Sequence, residues 1–257
     1  MILLHEKKIA FIHIPKNGGT SIKTYLYNNF NNDDNKFDGK ELFNCGDEKF
    51  DTTHLTLDFL HKNFKNSYNL IEKYNSFCIL RDPRERFYSA INQYFRLTKG
   101  KMIDECSKKE LNDEISNIIS KLNDMKGKSF TFDIVHFQPQ VDYIMFEGKI
   151  IIKNLFHLEK IDKIEEFIKS NISKDFTMLK KNDSVFIKNK VTARIFRFLY
   201  GVFKSMNLSF SDNQISLLKS ILFKSKNILY NKIEDKSIID AFIYDYYSDD
   251  YKLIDSL

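Results

Sequence analysis

A chain of 257 residues, 42% hydrophobic and 29% charged, can bury the core of one large domain, and its composition excludes a disordered polar chain. A formal net charge of +5 is too mild to argue for nucleic acid by itself. Three widely spaced cysteines, Cys45, Cys78 and Cys106, form no CxxC pair and suit reduced thiols that pack, not a disulfide framework or a metal site. Met1 to Leu4 is too short for a signal peptide or anchor because charges at Glu6, Lys7 and Lys8 come at once, so the expectation is a soluble, cytoplasmic protein. Lysine is abundant, and arginine is therefore the informative cation: of six, four (Arg81, Arg84, Arg86 and Arg96) fall in one short segment.

Lys8 to Ile14 reads as a short buried strand, and after Ser21 the apolar residues Ile22, Tyr25, Leu26 and Phe30 recur at helical spacing. Between them stands a turn, Pro15-Lys16-Asn17-Gly18-Gly19-Thr20-Ser21. Glycines let backbone N–H groups turn inward, a helix start adds a positive dipole end, and Lys16 adds a full charge, which together make an anion cradle. A Walker A loop places its lysine after the glycines; here Lys16 precedes them. The plainer alternative is an ordinary strand-to-helix turn with Thr20 or Ser21 as the N-cap.

Asn28 to Asp51 reads as a polar loop with a short extended piece at Glu41 to Cys45. His54 comes next, at the entrance to a helical segment through Phe59, Leu60 and Phe64, placed either as a general base or as a capping or surface histidine. Phe77 to Leu80 is a continuous apolar run suited to a central parallel strand. Asp82 and Pro83 suit an N-cap and first helical position, and Phe87, Ala90, Ile91 and Tyr94 give the helix its apolar face. Arg81 then stands at the carboxyl end of a strand, where open α/β sheets bind ligands, with Ser89 two turns into the following helix. An arginine fork and a serine hydroxyl suit a phosphate, although Arg84, Glu85 and Arg86 also read as a solvated helix start.

Further helices are expected over Lys108 to Lys126, Ile161 to Ile168, Ile215 to Leu229 and Ile238 to Leu253, and a strand within Lys149 to Leu158 around Ile150-Ile151-Ile152. Lys180 to Lys204 carries seven basic residues against only Asp183, either a solvated face or a surface for phosphates or an anionic glycan. No repeat or linker divides residues 1–257, so a single domain is expected, of α/β class, with a central parallel sheet of four or five strands flanked by helices.

Together, IPKNGGTS and ILRDPRERFYSA resemble the two cofactor signatures of sulfotransferases that use 3′-phosphoadenosine 5′-phosphosulfate. In form they are nearest the carbohydrate branch that includes the heparan 2-O- and chondroitin/dermatan-type enzymes. The resemblance implies a P-loop-kinase-like sulfotransferase fold, a 5′-phosphosulfate held by Lys16, Asn17, Gly18, Gly19, Thr20 and Ser21, and a 3′-phosphate held by Arg81 and Ser89. His54, in THLTL, matches the family's general base, with Lys16 as the second catalytic residue. Asp133 to Gln140 is similar to its acceptor-side segment, which puts His136 and Gln140, with Arg86, on the acceptor side. Tyr247 to Tyr251 matches a Tyr-x-x-Asp-Tyr pattern that closes many members. Without a stem or anchor, the chain resembles a bacterial member. The reaction implied by the resemblance is in-line sulfuryl transfer to a hydroxyl, best suited to a carbohydrate or polysaccharide, with no metal, no nucleic acid and no membrane span. The rival classes are a nucleotide-dependent kinase and a non-catalytic protein that binds nucleotide or anionic glycan.

Overall fold

The structure, a computed structural model, describes residues 1–30, 37, 39, 41–177, 186–187, 223–224 and 228–257. The chain divides into two compact units, Met1–Lys180 with Ile233–Leu257, and Lys181–Lys232. The basic residues expected to matter between Lys180 and Lys204 lie outside the described residues, as does most of the helix expected over Ile215 to Leu229.

In the first unit the elements run β1 (Ile2–Leu4), β2 (Ile9–Ile12), α1 (Thr20–Asn29), β3 (Leu42–Cys45), β4 (Glu48–Asp51), α2 (Leu57–Asn63), α3 (Lys65–Lys73), β5 (Asn75–Leu80), α4 (Pro83–Tyr94) and α5 (Lys108–Asp124). They continue through β6 (Met145–Phe146), β7 (Lys149–Ile150), β8 (Asn154–His157) and α6 (Ile161–Asn171). The second unit contains an antiparallel pair, β9 (Phe186–Ile187) and β10 (Phe223–Lys224), and a short helix α7 (Ile228–Lys232). Back in the first unit, α8 (Lys236–Tyr246) and α9 (Ser248–Asp255) close the chain.

A four-stranded sheet in the order β1-β2-β5-β8 centres the first unit, with β2, β5 and β8 parallel. Side chains alternate across it. Phe11, Phe77 and Ile79 face Ile22 and Leu26 of α1 and Ile164 and Ile168 of α6. Ala10, Ile12, Cys78 and Leu80 face Leu57 and Leu60 of α2, Ile71 of α3 and Tyr143. Both faces are covered, which is why β2 and β5 are apolar almost without a break.

The sheet corrects two expectations. It is not wholly parallel: Ile2-Leu3-Leu4 folds back through a turn closed by Lys8 N–H to His5 C=O at 3.2 Å and pairs antiparallel with β2. Three apolar residues before a charged turn are too few for a periodicity to declare itself. Nor does the late strand sit at Ile150–Ile152. Lys149–Ile150 forms a hairpin with Met145–Phe146, leaving Ile150 55% exposed, and the sheet takes Asn154–His157 instead. The Asn154 amide donates to Asn75 Oδ1 at 2.7 Å and to Ser76 C=O at 3.0 Å, a polar register signal that outweighs the isoleucine run.

Helix α4 starts as expected, with the Asp82 carboxylate accepting from Glu85 N–H at 2.8 Å and Pro83 in the first turn. The single helix expected over Ile238 to Leu253 is broken at Tyr247, whose hydroxyl donates to Phe137 C=O at 2.7 Å. One turn later Asp250, 1% exposed, accepts from the N–H groups of Gln140 and Val141, each at 2.9 Å. The carboxyl-terminal helix is thereby tied to the turn that carries Gln140.

Replacing that acceptor with an amide sets an NH₂ against backbone donors. Asp250→Asn is expected to cost about 2 kcal/mol, in the range for hydrogen bonds to charged groups, read as a lower urea midpoint at unchanged slope; an unchanged midpoint would show that the carboxylate does not hold the turn.

Candidate active site

Parallel pairing of Ile12 with Cys78 brings the carboxyl ends of β2 and β5 to one edge of the sheet. The two motif loops therefore emerge side by side, and polar contacts join them. Asn17 Nδ2 donates to Ile79 C=O at 2.7 Å and to Gln140 Oε1 at 2.6 Å. Gln140 Oε1 also accepts from Arg81 N–H at 3.0 Å, while Gln140 Nε2 donates to Arg81 C=O at 2.9 Å. Gln140 is fully buried, so its amide serves as a joint between the loops and not as a group offered to an acceptor. Arg86 is also placed differently from the expectation: it is 1% exposed and donates to Pro15 C=O at 3.1 Å and Gln138 C=O at 2.7 Å. Neither a solvated helix start nor an acceptor contact fits a guanidinium spent on two buried carbonyls.

The turn is strained where its lysine sits. Lys16 has φ +67°, the left-handed region that costs a residue with a Cβ roughly 1–2 kcal/mol. Arg81 Nη1 caps its carbonyl at 3.1 Å, while the same guanidinium pairs with Glu85 at 2.9 Å. Lys16 Nζ reaches Gln93 Oε1 at 3.4 Å and has no ion pair among the described residues. Burial, then the charges of Arg96, Arg81 and Arg86, bring its pKa down to about 8. An ammonium so disfavoured gains from any anion that reaches it.

Gly18, at φ +75°, turns the chain toward Leu158, and Gly19 leads into α1. Gly19 is the N-cap, so neither Thr20 nor Ser21 fills that role; their hydroxyls make no hydrogen bond among the described residues. A Cβ on Gly19 would lie 2.6 Å from His13 Cδ2 and 3.0 Å from Phe11 Cζ. The second glycine is therefore required by the ring beneath it. Ser89 is half-buried on α4, as expected from the spacing.

That ring opens a row of histidines. His13, 8% exposed, lies 4.8 Å from His54 between ring centroids, and His54 lies 5.8 Å from His136. His54 sits in a short 3₁₀ turn, Thr52–His54, started by Asp51 accepting from Thr53 N–H at 2.8 Å. Its Nδ1 stands 2.9 Å from His13 C=O. A carbonyl can only accept, so Nδ1 carries the proton and Nε2 keeps its lone pair. Burial, the main cause, lowers the pKa of His54 and of His136 to about 3 and that of His13 well below its ordinary value. All three are neutral at pH 7. The sequence pointed to His54 and His136 separately; that His13 stands between His54 and the glycine turn comes from the fold alone. Among the described residues no group of three or more His, Cys, Asp or Glu is arranged to hold a metal ion, and no helix is long and apolar enough to cross a membrane.

Residues 1–255 match the profile of the sulfotransferase family. A search of curated proteins and a search of solved structures give no match to the chain.

Two outcomes are expected. Gly19→Ala should cost about 1–3 kcal/mol by overpacking, and adding His13→Ala should recover part of it; equal losses with and without His13 would place the strain elsewhere. The histidines also make the fold acid-sensitive. Below pH 6.5 the unfolded chain binds protons that the three folded imidazoles refuse, so stability is lost as pH falls from 6.5 toward 3, by up to ~1.4 kcal/mol per pH unit for each histidine. Asp142, raised by burial to about 6, acts in the opposite sense, because the folded state then holds a proton that the unfolded state has released. Urea midpoints measured from pH 7 to pH 5 should fall less steeply in His136→Asn than in the wild type.

Proposed function

The chain belongs to the sulfotransferase family, and from that membership we propose that it moves a sulfuryl group from 3′-phosphoadenosine 5′-phosphosulfate to a hydroxyl of an acceptor, with a carbohydrate or polysaccharide as the acceptor class. The observation that carries this reading is a desolvated Lys16, without an ion pair among the described residues, in a strained glycine turn whose carbonyl is gripped by the arginine of the second motif.

The residues present suit the donor. Lys16, the hydroxyls of Thr20 and Ser21, and the backbone of Gly18 and Gly19 would hold its 5′ end, at the start of a ten-residue helix whose dipole favours anions. Arg81 and Ser89 would hold the 3′-phosphate. Asn17, assigned to the same loop, contributes from below by fixing the turn, since its side chain is buried. When bound, the donor supplies an activated sulfuryl group and a bisphosphate leaving group.

This chain's own residues do the rest. His54 Nε2 accepts the proton of the acceptor hydroxyl, because Nδ1–H is already committed to His13 C=O. Burial keeps His54 neutral and so ready to accept, and negative charge in the neighbouring turn would raise its basicity at the moment of transfer. Lys16 stabilises charge that develops on the leaving phosphate oxygen, an interaction that counts more in the transition state than in the ground state. His136, half-buried beside His54, shapes the acceptor side.

Incubation with ³⁵S-labelled donor and a panel of polysaccharides tests the reading. Label should pass to a glycan, and His54→Ala should cut transfer by about 10²–10⁴-fold while adenosine 3′,5′-bisphosphate still binds. Transfer at the wild-type rate by His54→Ala, with loss in His136→Ala, would exchange the two histidines; binding of the donor with no acceptor in the panel sulfated would return the protein to the non-catalytic class.

A further inference from the structure

Helix α4 carries more toward the turn than Ser89. Ser89, Gln93 and Arg96 stand at i, i+4 and i+7 and share one face of the helix, which runs on into a π-helical turn, Phe95–Lys99. Gln93 Oε1 accepts from Lys16 Nζ at 3.4 Å and also from Arg96 Nη2. Two cations thus converge on one neutral oxygen.

The neighbouring cations are arranged otherwise. Arg81 pairs with Glu85, Arg84 with Asp240, Lys99 with Glu114 and Lys101 with Glu110, at 2.7–2.9 Å. Lys16 and Arg96 have no carboxylate among the described residues; they share an amide. An amide oxygen satisfies their donors but not their charge, so the pair repels across it, and Arg96 is the foremost charge acting on Lys16. A glutamate at position 93 would pair with both cations, halve their combined charge and stabilise the free protein. A glutamine leaves the positive charge uncompensated, which suits an incoming anion.

We propose that Lys16, Gln93 and Arg96 form a subsite for a tetrahedral oxyanion, a phosphate or sulfate group, with Arg96 as a binding residue outside both loop motifs. The subsite rests on the donor reading only for the source of that group: the 5′ end of the donor nucleotide supplies it, whereas inorganic sulfate or phosphate is the other source of the same chemistry. Arg81 and Ser89 are left with the 3′-phosphate, so the two ends of the nucleotide have separate arginines. Arg96 is exposed, and its replacement leaves the core untouched.

Calorimetric titration of the full chain with adenosine 3′,5′-bisphosphate, adenosine 3′-monophosphate, sodium sulfate and sodium phosphate tests it. Arg96→Gln should weaken the bisphosphate about tenfold or more, the loss expected of one charge-assisted contact, and leave the 3′-monophosphate unchanged; Arg81→Ala should weaken both nucleotides. Gln93→Glu should raise the melting temperature of the free protein while weakening bisphosphate binding, a combination that a purely structural glutamine would not produce. Wild-type affinity for the bisphosphate in Arg96→Gln, or equal loss of both nucleotides, overturns the subsite. Binding of sulfate or phosphate that depends on Arg96, with no binding of the bisphosphate, upholds the subsite and removes the donor reading. A wild-type protein that binds none of the four anions overturns it.

Discussion

The site depends on the buried amide of Gln140. It accepts from Asn17 and Arg81 and donates to Arg81 C=O, and Asp250 fixes its own backbone. One side chain therefore sets the glycine turn after β2 against the arginine turn after β5. Sheet pairing alone ends at Ile12 and Leu80, short of either loop, and loops of this kind would otherwise be free to separate. In a dry interior each unmade bond of this network would cost about 1–3 kcal/mol, so the amide holds the two turns in one arrangement. Arg86 does the same from beneath, joining Pro15 to Gln138.

Above that rigid base the surface is kept unfavourable. Lys16 stands in a left-handed conformation, loses part of its charge preference to burial, and meets arginines instead of carboxylates. His13 Nδ1 and Asn17 Oδ1 are buried with no partner among the described residues. Each of these features lowers stability and lies at the sheet edge where the motifs meet, as strain and uncompensated charge that serve a ligand would. The paired cations at the start of α4 and before α5 show that the chain can compensate charge elsewhere.

The histidine row couples the glycine turn to the turn that carries His54. His13 supports the glycine turn with its ring and orients His54 with its carbonyl. A displacement of either turn would be felt at His54, so the geometry of the glycine turn and that of the His54 ring are not independent variables in this architecture.

By itself the sequence determined what local patterns can encode. Apolar runs marked β2 and β5, the Asp-Pro pair marked the start of α4, and the resemblance carried by the lysine-glycine turn and the Arg81–Ser89 spacing pointed to the family. His54 was legible as a candidate, because histidine at a loop–helix junction carries a chemical signal of its own. The tertiary structure decided the direction of β1, the place of β8, the inward roles of Gln140, Arg86 and Asn17, and the meeting of Arg96 with Lys16. Most of these depend on which groups lie together across long stretches of chain, up to 123 residues for Asn17 and Gln140. A polar side chain looks the same in sequence whether it faces water or a buried carbonyl, and only the completed fold tells the two apart.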